Sequence, residues 1–137
     1  MHDDYALIAR TPSIEEYTRL RVVSGLSPKS EEAAARGLPN TLHAVVVVHE
    51  GAAVGMGRVI GDGGLFYQVT DIAVDPPHQG RGLGKAIVAA LVAWLRANTV
   101  PGAYVSLIAD GEAHRLYAQY GFAPTAPKSI GMAFTVR

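Results

Sequence analysis

The feature that most restricts this chain is an abrupt change of period between residues 74 and 83. Leu65–Val74 reads as a strand, and Pro76-Pro77 stop it. From Gly82 the apolar residues Ile87, Leu91, Trp94 and Leu95 recur at helical spacing. Between the two elements lies Gln79-Gly80-Arg81-Gly82-Leu83-Gly84-Lys85. Alternate glycines admit positive φ and close approach of a ligand to the backbone. The helix behind them offers unpaired N–H groups and the positive end of its dipole, which together suit a phosphate or pyrophosphate. Arg81 and Lys85 add positive charge.

Two common nucleotide loops fail on spacing. A Walker loop needs Gly-x-x-x-x-Gly-Lys-Ser/Thr, but Gln79 stands at its first glycine and Ala86 at its metal-binding hydroxyl. A Rossmann loop needs Gly-x-Gly-x-x-Gly; counting from Gly80 ends on Lys85, and from Gly82 on Ile87.

The flanking sequence builds a mixed architecture. Tyr5–Ala9 is a short β-prone run. Ser13 reads as the N-cap of a helix carrying Ile14, Tyr17 and Leu20 and closing at Gly25; a second helix follows Ser30 and ends at Gly37. Leu42–Val48, Ala53–Ile60 and Leu65–Val74 form a three-strand antiparallel meander. Beyond the long helix, Ala103–Ala109 reads as a buried strand, Asp110 as the cap of a short helix, and Ile130–Val136 as a last strand. The expected fold is α/β: a mostly antiparallel mixed sheet with a central parallel strand–helix–strand unit and helices on both faces.

Composition narrows the function. At 137 residues the chain is expected to form a single domain, 1–137. Twelve basic residues balance twelve acidic ones, which argues against non-specific nucleic-acid binding. The absence of cysteine excludes a thiolate zinc site and a cysteine acyl-enzyme, and is compatible with the cytoplasm, the expected location. The five histidines, His2, His43, His49, His78 and His114, show no metal-ligand spacing, so no metal is expected. The acidic N-terminus is followed by no signal-peptide core, and no stretch of about 18 apolar residues suggests a membrane span.

Gln79-x-x-Gly82-x-Gly84, placed after Ile72-Ala73-Val74-Asp75-Pro76, resembles the acetyl-CoA signature of the GNAT N-acetyltransferase superfamily. Downstream, Tyr117-Ala118-Gln119-Tyr120-Gly121-Phe122 is similar to that family's Tyr-x-x-x-Gly-Phe segment. The clear resemblance covers about residues 66 to 122. It implies a GNAT-like fold and acetyl-CoA as co-substrate. The pantetheine would lie along Ile72, Ala73 and Val74 as an added strand. Gln79, Gly80, Arg81, Gly82, Leu83 and Gly84 would cradle the pyrophosphate, with Lys85 nearby. Tyr117 would protonate the departing thiolate. Asp110 stands where many members have an asparagine that binds the pantetheine; an ionised aspartate cannot donate that hydrogen bond, so it either meets the cofactor differently or caps the helix. The general base is not legible: Gln68 occupies one place where a glutamate would fall, Asp71 is the nearest strand carboxylate, and Glu112, His78 and His114 are further options. The acceptor expected is a small-molecule or peptide amine, attacked directly in a ternary complex. A homodimer is compatible with the neutral surface. The rival function is a non-catalytic acyl-CoA-binding or sensing domain on the same fold.

Overall fold

The computed structural model describes residues 4–137; Met1, His2 and Asp3, including one of the five histidines, lie outside the described residues. The described chain divides into two units, one ending at Leu107 and one running from Ile108 to Arg137.

The first unit holds β1 (Tyr5–Ala9), α1 (Ile14–Val23), α2 (Glu31–Gly37), β2 (His43–His49), β3 (Ala52–Gly61), β4 (Phe66–Val74), α3 (Leu83–Asn98) and β5 (Tyr104–Ser106). The sheet order is β1-β2-β3-β4-β5. The first four strands pair antiparallel with their neighbours, and β4 pairs parallel with β5. The mixed sheet expected from the sequence is therefore present, and the strand–helix–strand unit β4–α3–β5 supplies its parallel pair.

Local chemistry explains the elements. Ser13 accepts the Glu16 N–H at 3.1 Å while the Glu16 carboxylate accepts the Ser13 N–H at 2.8 Å, a reciprocal capping box. Hydrogen bonds from Arg10 to the same carboxylate pull its pKa down to about 2. Ser30 caps α2 through the Ala33 N–H. The β3–β4 turn is closed by the Asp62 side chain, which accepts the N–H groups of Gly64, Leu65 and Phe66. Among the described residues no helix is long and apolar enough to cross a membrane.

The valine run of β2 is buried across Ala44–Val47, because helices cover both faces of the sheet. On one face Val46, Met56 and Ala73 stand in register across three strands and pack with Tyr17 and Leu20 of α1 and Ala34 of α2. On the other face Ile87 and Leu91 of α3 press onto Gly57, where a Cβ would stand 2.5 Å from Ile87 Cγ2, 2.8 Å from Ile72 Cδ1 and 3.0 Å from Leu91 Cδ1. That glycine lets α3 lie close on the sheet.

Two expectations change. Ala103–Ala109 pairs only over Tyr104–Ser106, and Tyr104 is exposed, because β4 offers β5 no ladder beyond Gln68. Ile130–Val136 forms no strand, since strand geometry persists only where an edge accepts its backbone groups. The second unit contains one short helix, α4 (His114–Ala118), and none of its residues is buried.

Gly57→Ala should cost about 1–3 kcal/mol of stability, the usual range for overpacking a tight core. Urea unfolding measures it; an unchanged midpoint would show that α3 does not lie as close as described.

Candidate functional site

The site begins with an irregularity in β4. Met56 faces Ala73 and Arg58 faces Thr70, so Asp71 and Ile72 together oppose the single residue Gly57. This is a β-bulge, and Asp71 makes it by adopting φ 59°, a left-handed conformation that is costly for a residue other than glycine. Pairing with β5 ends three residues earlier, at Gln68 and Ser106. From Val69 to Val74, among the described residues, no strand pairs with the β5-facing edge of β4. The two parallel strands thus part beside a bulge.

A buried ion cluster holds the bulge. Asp71 is 7% exposed. Its Oδ1 accepts hydrogen bonds from Arg21 Nη1 at 2.7 Å and Tyr17 Oη at 2.9 Å, and its Oδ2 accepts one from Arg58 Nη1 at 2.8 Å. Both arginines are buried as well. Burial, reinforced by the Asp71 charge, pushes the Tyr17 hydroxyl up to about 12. Arg21 also donates to the Ser27 carbonyl at 2.7 Å and the Ser27 hydroxyl at 2.9 Å, and Arg58 to the Thr41 hydroxyl at 2.9 Å. One carboxylate therefore ties β4 to β3, to α1 and to the loop between α1 and α2.

This geometry bears on the expectation of Asp71 as a general base. Its oxygens are engaged by three donors, two of them buried guanidinium groups. Asp71 instead shapes the strand. Tyr17, Arg21 and Arg58 were not among the site residues expected from the sequence. A signal was present: Arg58 is the only charged residue of β3 and Asp71 the only one of β4, a pattern that suits opposite charges on adjacent strands.

At its far end β4 runs into the glycine turn. The Gln79 side-chain amide donates to the Val74 carbonyl at 3.0 Å and fastens the turn to the strand end. Gly80 and Gly82 have φ 78° and 81°, and a Cβ built on either meets nothing within 4 Å. These glycines are required by backbone conformation, and the space beside them is open. Gly82 occupies the N-cap of the 16-residue helix α3 with no side-chain cap hydrogen bond, so the first-turn N–H groups lie at the positive end of the helix dipole. Arg81 is exposed beside them.

Among the alternative bases, Gln68 pairs opposite Ser106. His78 is less free than a surface loop would leave it: its Nδ1 lies 2.8 Å from the Tyr5 hydroxyl, and its ring packs 4.9 Å from that of His49. Among the described residues no group of three or more histidine, aspartate or glutamate side chains could hold a metal ion.

In the second unit, Tyr117 lies on α4, half-buried, its ring edge-on to Phe122 at 6.3 Å. Burial, then the charge of Asp110, raises the phenol above its ordinary value, so it stays protonated at neutral pH. Gly121, at φ 96°, closes the helix, and the Phe122 N–H reaches back to the Tyr117 carbonyl at 3.4 Å. Asp110 does not cap α4 with its side chain; Ala113 holds the cap position, and the Asp110 carbonyl accepts the Ala113 N–H. Glu112 pairs with Arg115 at 2.8 Å, and His114 Nδ1 lies 3.2 Å from the Gly111 carbonyl.

The chain is similar to known proteins in sequence and in fold. Residues 11–122 match the model of the acetyltransferase (GNAT) family. The chain belongs to this family. A Staphylococcus aureus protein described as a probable acetyltransferase is 42% identical, superposes with a TM-score of 0.92, and is matched over 96% of this chain and 99% of its own. Glucosamine-6-phosphate N-acetyltransferase from Arabidopsis thaliana shares the fold at 20% identity and a TM-score of 0.68, over 96% of this chain and 99% of its own. Serotonin N-acetyltransferase 2, chloroplastic, from Oryza sativa subsp. japonica is 38% identical over 84 residues, which is 61% of this GNAT chain and 41% of the rice protein. The chain spans less than half the length of the curated relatives it matches.

Asp71→Asn keeps a residue that tolerates left-handed backbone and removes only the charge. Leaving Arg21 and Arg58 unbalanced should cost about 3–5 kcal/mol in urea unfolding. A loss below about 1 kcal/mol would contradict the role given to the cluster.

Proposed function

We propose that this GNAT-family chain acts as an acetyl-CoA-dependent N-acetyltransferase on a primary amine, with residues 1–137 working as one acyltransferase domain. The observation that carries the reading is the open edge of β4, bounded by the Asp71 bulge and the glycine turn. Acetyl-CoA fits the residues present. Its pantetheine amides would lie along Ile72, Ala73 and Val74, on the edge of β4 that β5 does not cover, in the manner of an added strand, with the Val74 carbonyl already held by Gln79. Its pyrophosphate finds the Gln79–Gly84 turn, the helix N-terminus and the charges of Arg81 and Lys85. Asp110 is a further candidate contact to the cofactor.

Acetyl-CoA supplies an acyl group activated as a thioester, and the chain's own groups do the rest. Main-chain N–H groups beside the bulge are available to hold developing negative charge on the carbonyl oxygen. Tyr117 is the proposed proton donor to the leaving sulfur. Its raised pKa keeps the phenol loaded at neutral pH, and the proton lost by the attacking amine restores it through solvent. No side chain is proposed as the base, because Asp71 is engaged by its three donors. The amine enters with its lone pair free in the fraction that is already neutral.

The acceptor side is proposed to involve the α1–α2 loop that Arg21 fastens through Ser27. The rice relative is named for serotonin, an arylalkylamine, and that class belongs in the first panel of acceptors together with small aliphatic and peptide amines.

Tyr117→Phe should lower acetyl transfer to a responsive amine by about 10²–10⁴-fold, the usual worth of a positioned acid, while leaving acetyl-CoA affinity within a few-fold. Thiol release and thermal-shift titration measure the two. Intact turnover in the variant removes Tyr117 from the chemistry. Binding of acetyl-CoA with no turnover on any amine favours the acyl-CoA-sensing alternative.

A further inference from the structure

The ion cluster on β4 holds one positive charge more than it needs. Among the described residues Asp71 is the only acidic group that pairs with Arg21 or Arg58, and all three side chains are buried. Tyr17 adds no negative charge: its hydroxyl donates to Asp71 and, pushed up to about 12 by burial, stays protonated at neutral pH. One arginine would balance the carboxylate. Burying a second without a counter-charge is costly.

The neighbouring charges do not cancel the excess. On α1 Glu16 pairs with Arg10 and Arg19 with Asp75, and on α2 Glu32 pairs with Arg36. Glu15, Lys29 and Glu31 are exposed, where solvent and salt screen them. Besides Tyr67, Arg58 and Asp71 are the only titratable residues of β3 and β4. His43 of β2 stacks on Trp94 of α3, the helix of the opposite face, and burial lowers its pKa.

Nor is the excess a grip for an anion. Nε, Nη1 and Nη2 of Arg21 donate to the Ser27 carbonyl, Asp71 and the Ser27 hydroxyl. Those of Arg58 donate to the Thr41 hydroxyl, Asp71 and the Gly37 carbonyl. Every guanidinium nitrogen has a protein partner, so neither arginine offers a free fork to a carboxylate. What remains is the field, which burial strengthens. It acts at the bulge, because Asp71 forms the bulge with its main chain and anchors both arginines with its side chain.

We propose that the excess charge of Arg21 and Arg58 favours the neutral, nucleophilic form of the acceptor amine at the bulge and so takes the place of a general base. This rests on the acetyl-transfer reading. A cation close to an ammonium group disfavours its charged form. The ammonium loses one proton to solvent on binding, and the nitrogen lone pair then forms the C–N bond as the C–S bond breaks. Tyr117 protonates the sulfur, and the second nitrogen proton returns through solvent to the phenol. The acceptors that gain most are aliphatic primary amines, with a pKa of about 10 in water.

The test is the pH dependence of kcat at saturating acetyl-CoA and amine, which reports groups in the ternary complex. Across a series of aliphatic amines, the acidic limb of the wild type should lie about 1 pH unit or more below each amine's own pKa. Arg58→Met removes the excess and leaves Arg21 to balance Asp71, so the limb should rise by about 1 pH unit. Arg58→Lys keeps the charge and loses the fork, so its limb should stay with the wild type. A purely structural arginine would give both variants the same limb. A wild-type limb at or above the amine's own pKa, or one that Arg58→Met leaves in place, overturns the inference and leaves acetyl transfer standing. The wild-type series decides even where Arg58→Met does not fold. Wild-type turnover on no amine overturns the acetyl-transfer reading and this inference with it.

Discussion

The structure turns on one carboxylate. Asp71 sits in a left-handed conformation that an L-residue resists, and it stays there because two buried arginines and a tyrosine hydroxyl hold its oxygens. If the cluster failed, β4 would regain a regular ladder with β3 and lose the bulge. Two of these donors reach outward, Arg21 to Ser27 of the α1–α2 loop and Arg58 to Thr41. One electrostatic arrangement therefore joins the bulged strand to the α1–α2 loop. Such clusters contribute uncertain net stability, because desolvation of the charges offsets their attraction. What this one supplies is a particular backbone shape.

That shape is what the glycine turn needs. A helix N-terminus is a generic anion site, and by itself says little about the ligand. Joined to the edge of β4 that β5 does not cover beyond Gln68, it continues a line of main-chain groups along 72–74 into the amides of the turn and the helix start. A ligand with a pyrophosphate and a long amide-bearing arm has the matching sequence of features.

Much of the first unit was legible in the sequence, and the reasons are local. Ser13 with Glu16 and Ser30 with its acidic first turn announce their helices, Asp62-Gly63-Gly64 its turn, and the prolines after Val74 the end of β4. Observed ends lie within a few residues of those expected; α3, for example, runs three residues beyond Leu95 to Asn98. The glycine turn was legible because positive φ has a strong residue preference. The bulge was not: Asp71 takes a conformation that its own preferences do not favour, imposed by arginines 13 and 50 positions away. The donors around Asp71 were not legible for the same reason, since what surrounds a carboxylate is set in space and not along the chain. Ile130–Val136 shows the opposite error. Its alternation is a strand signal, but alternation specifies a face and not a partner, and the single chain gives it none.

The account stands on the claim that an acyl-CoA lies along β4 and into the glycine turn. The most direct measurement is amide-resolved NMR of the labelled protein titrated with CoA and acetyl-CoA. The account predicts saturable shifts concentrated at the N–H groups of Ile72, Ala73 and Val74 and of Gly80 through Lys85. Shifts absent from both stretches, or confined to the β1–β2 edge, would contradict it.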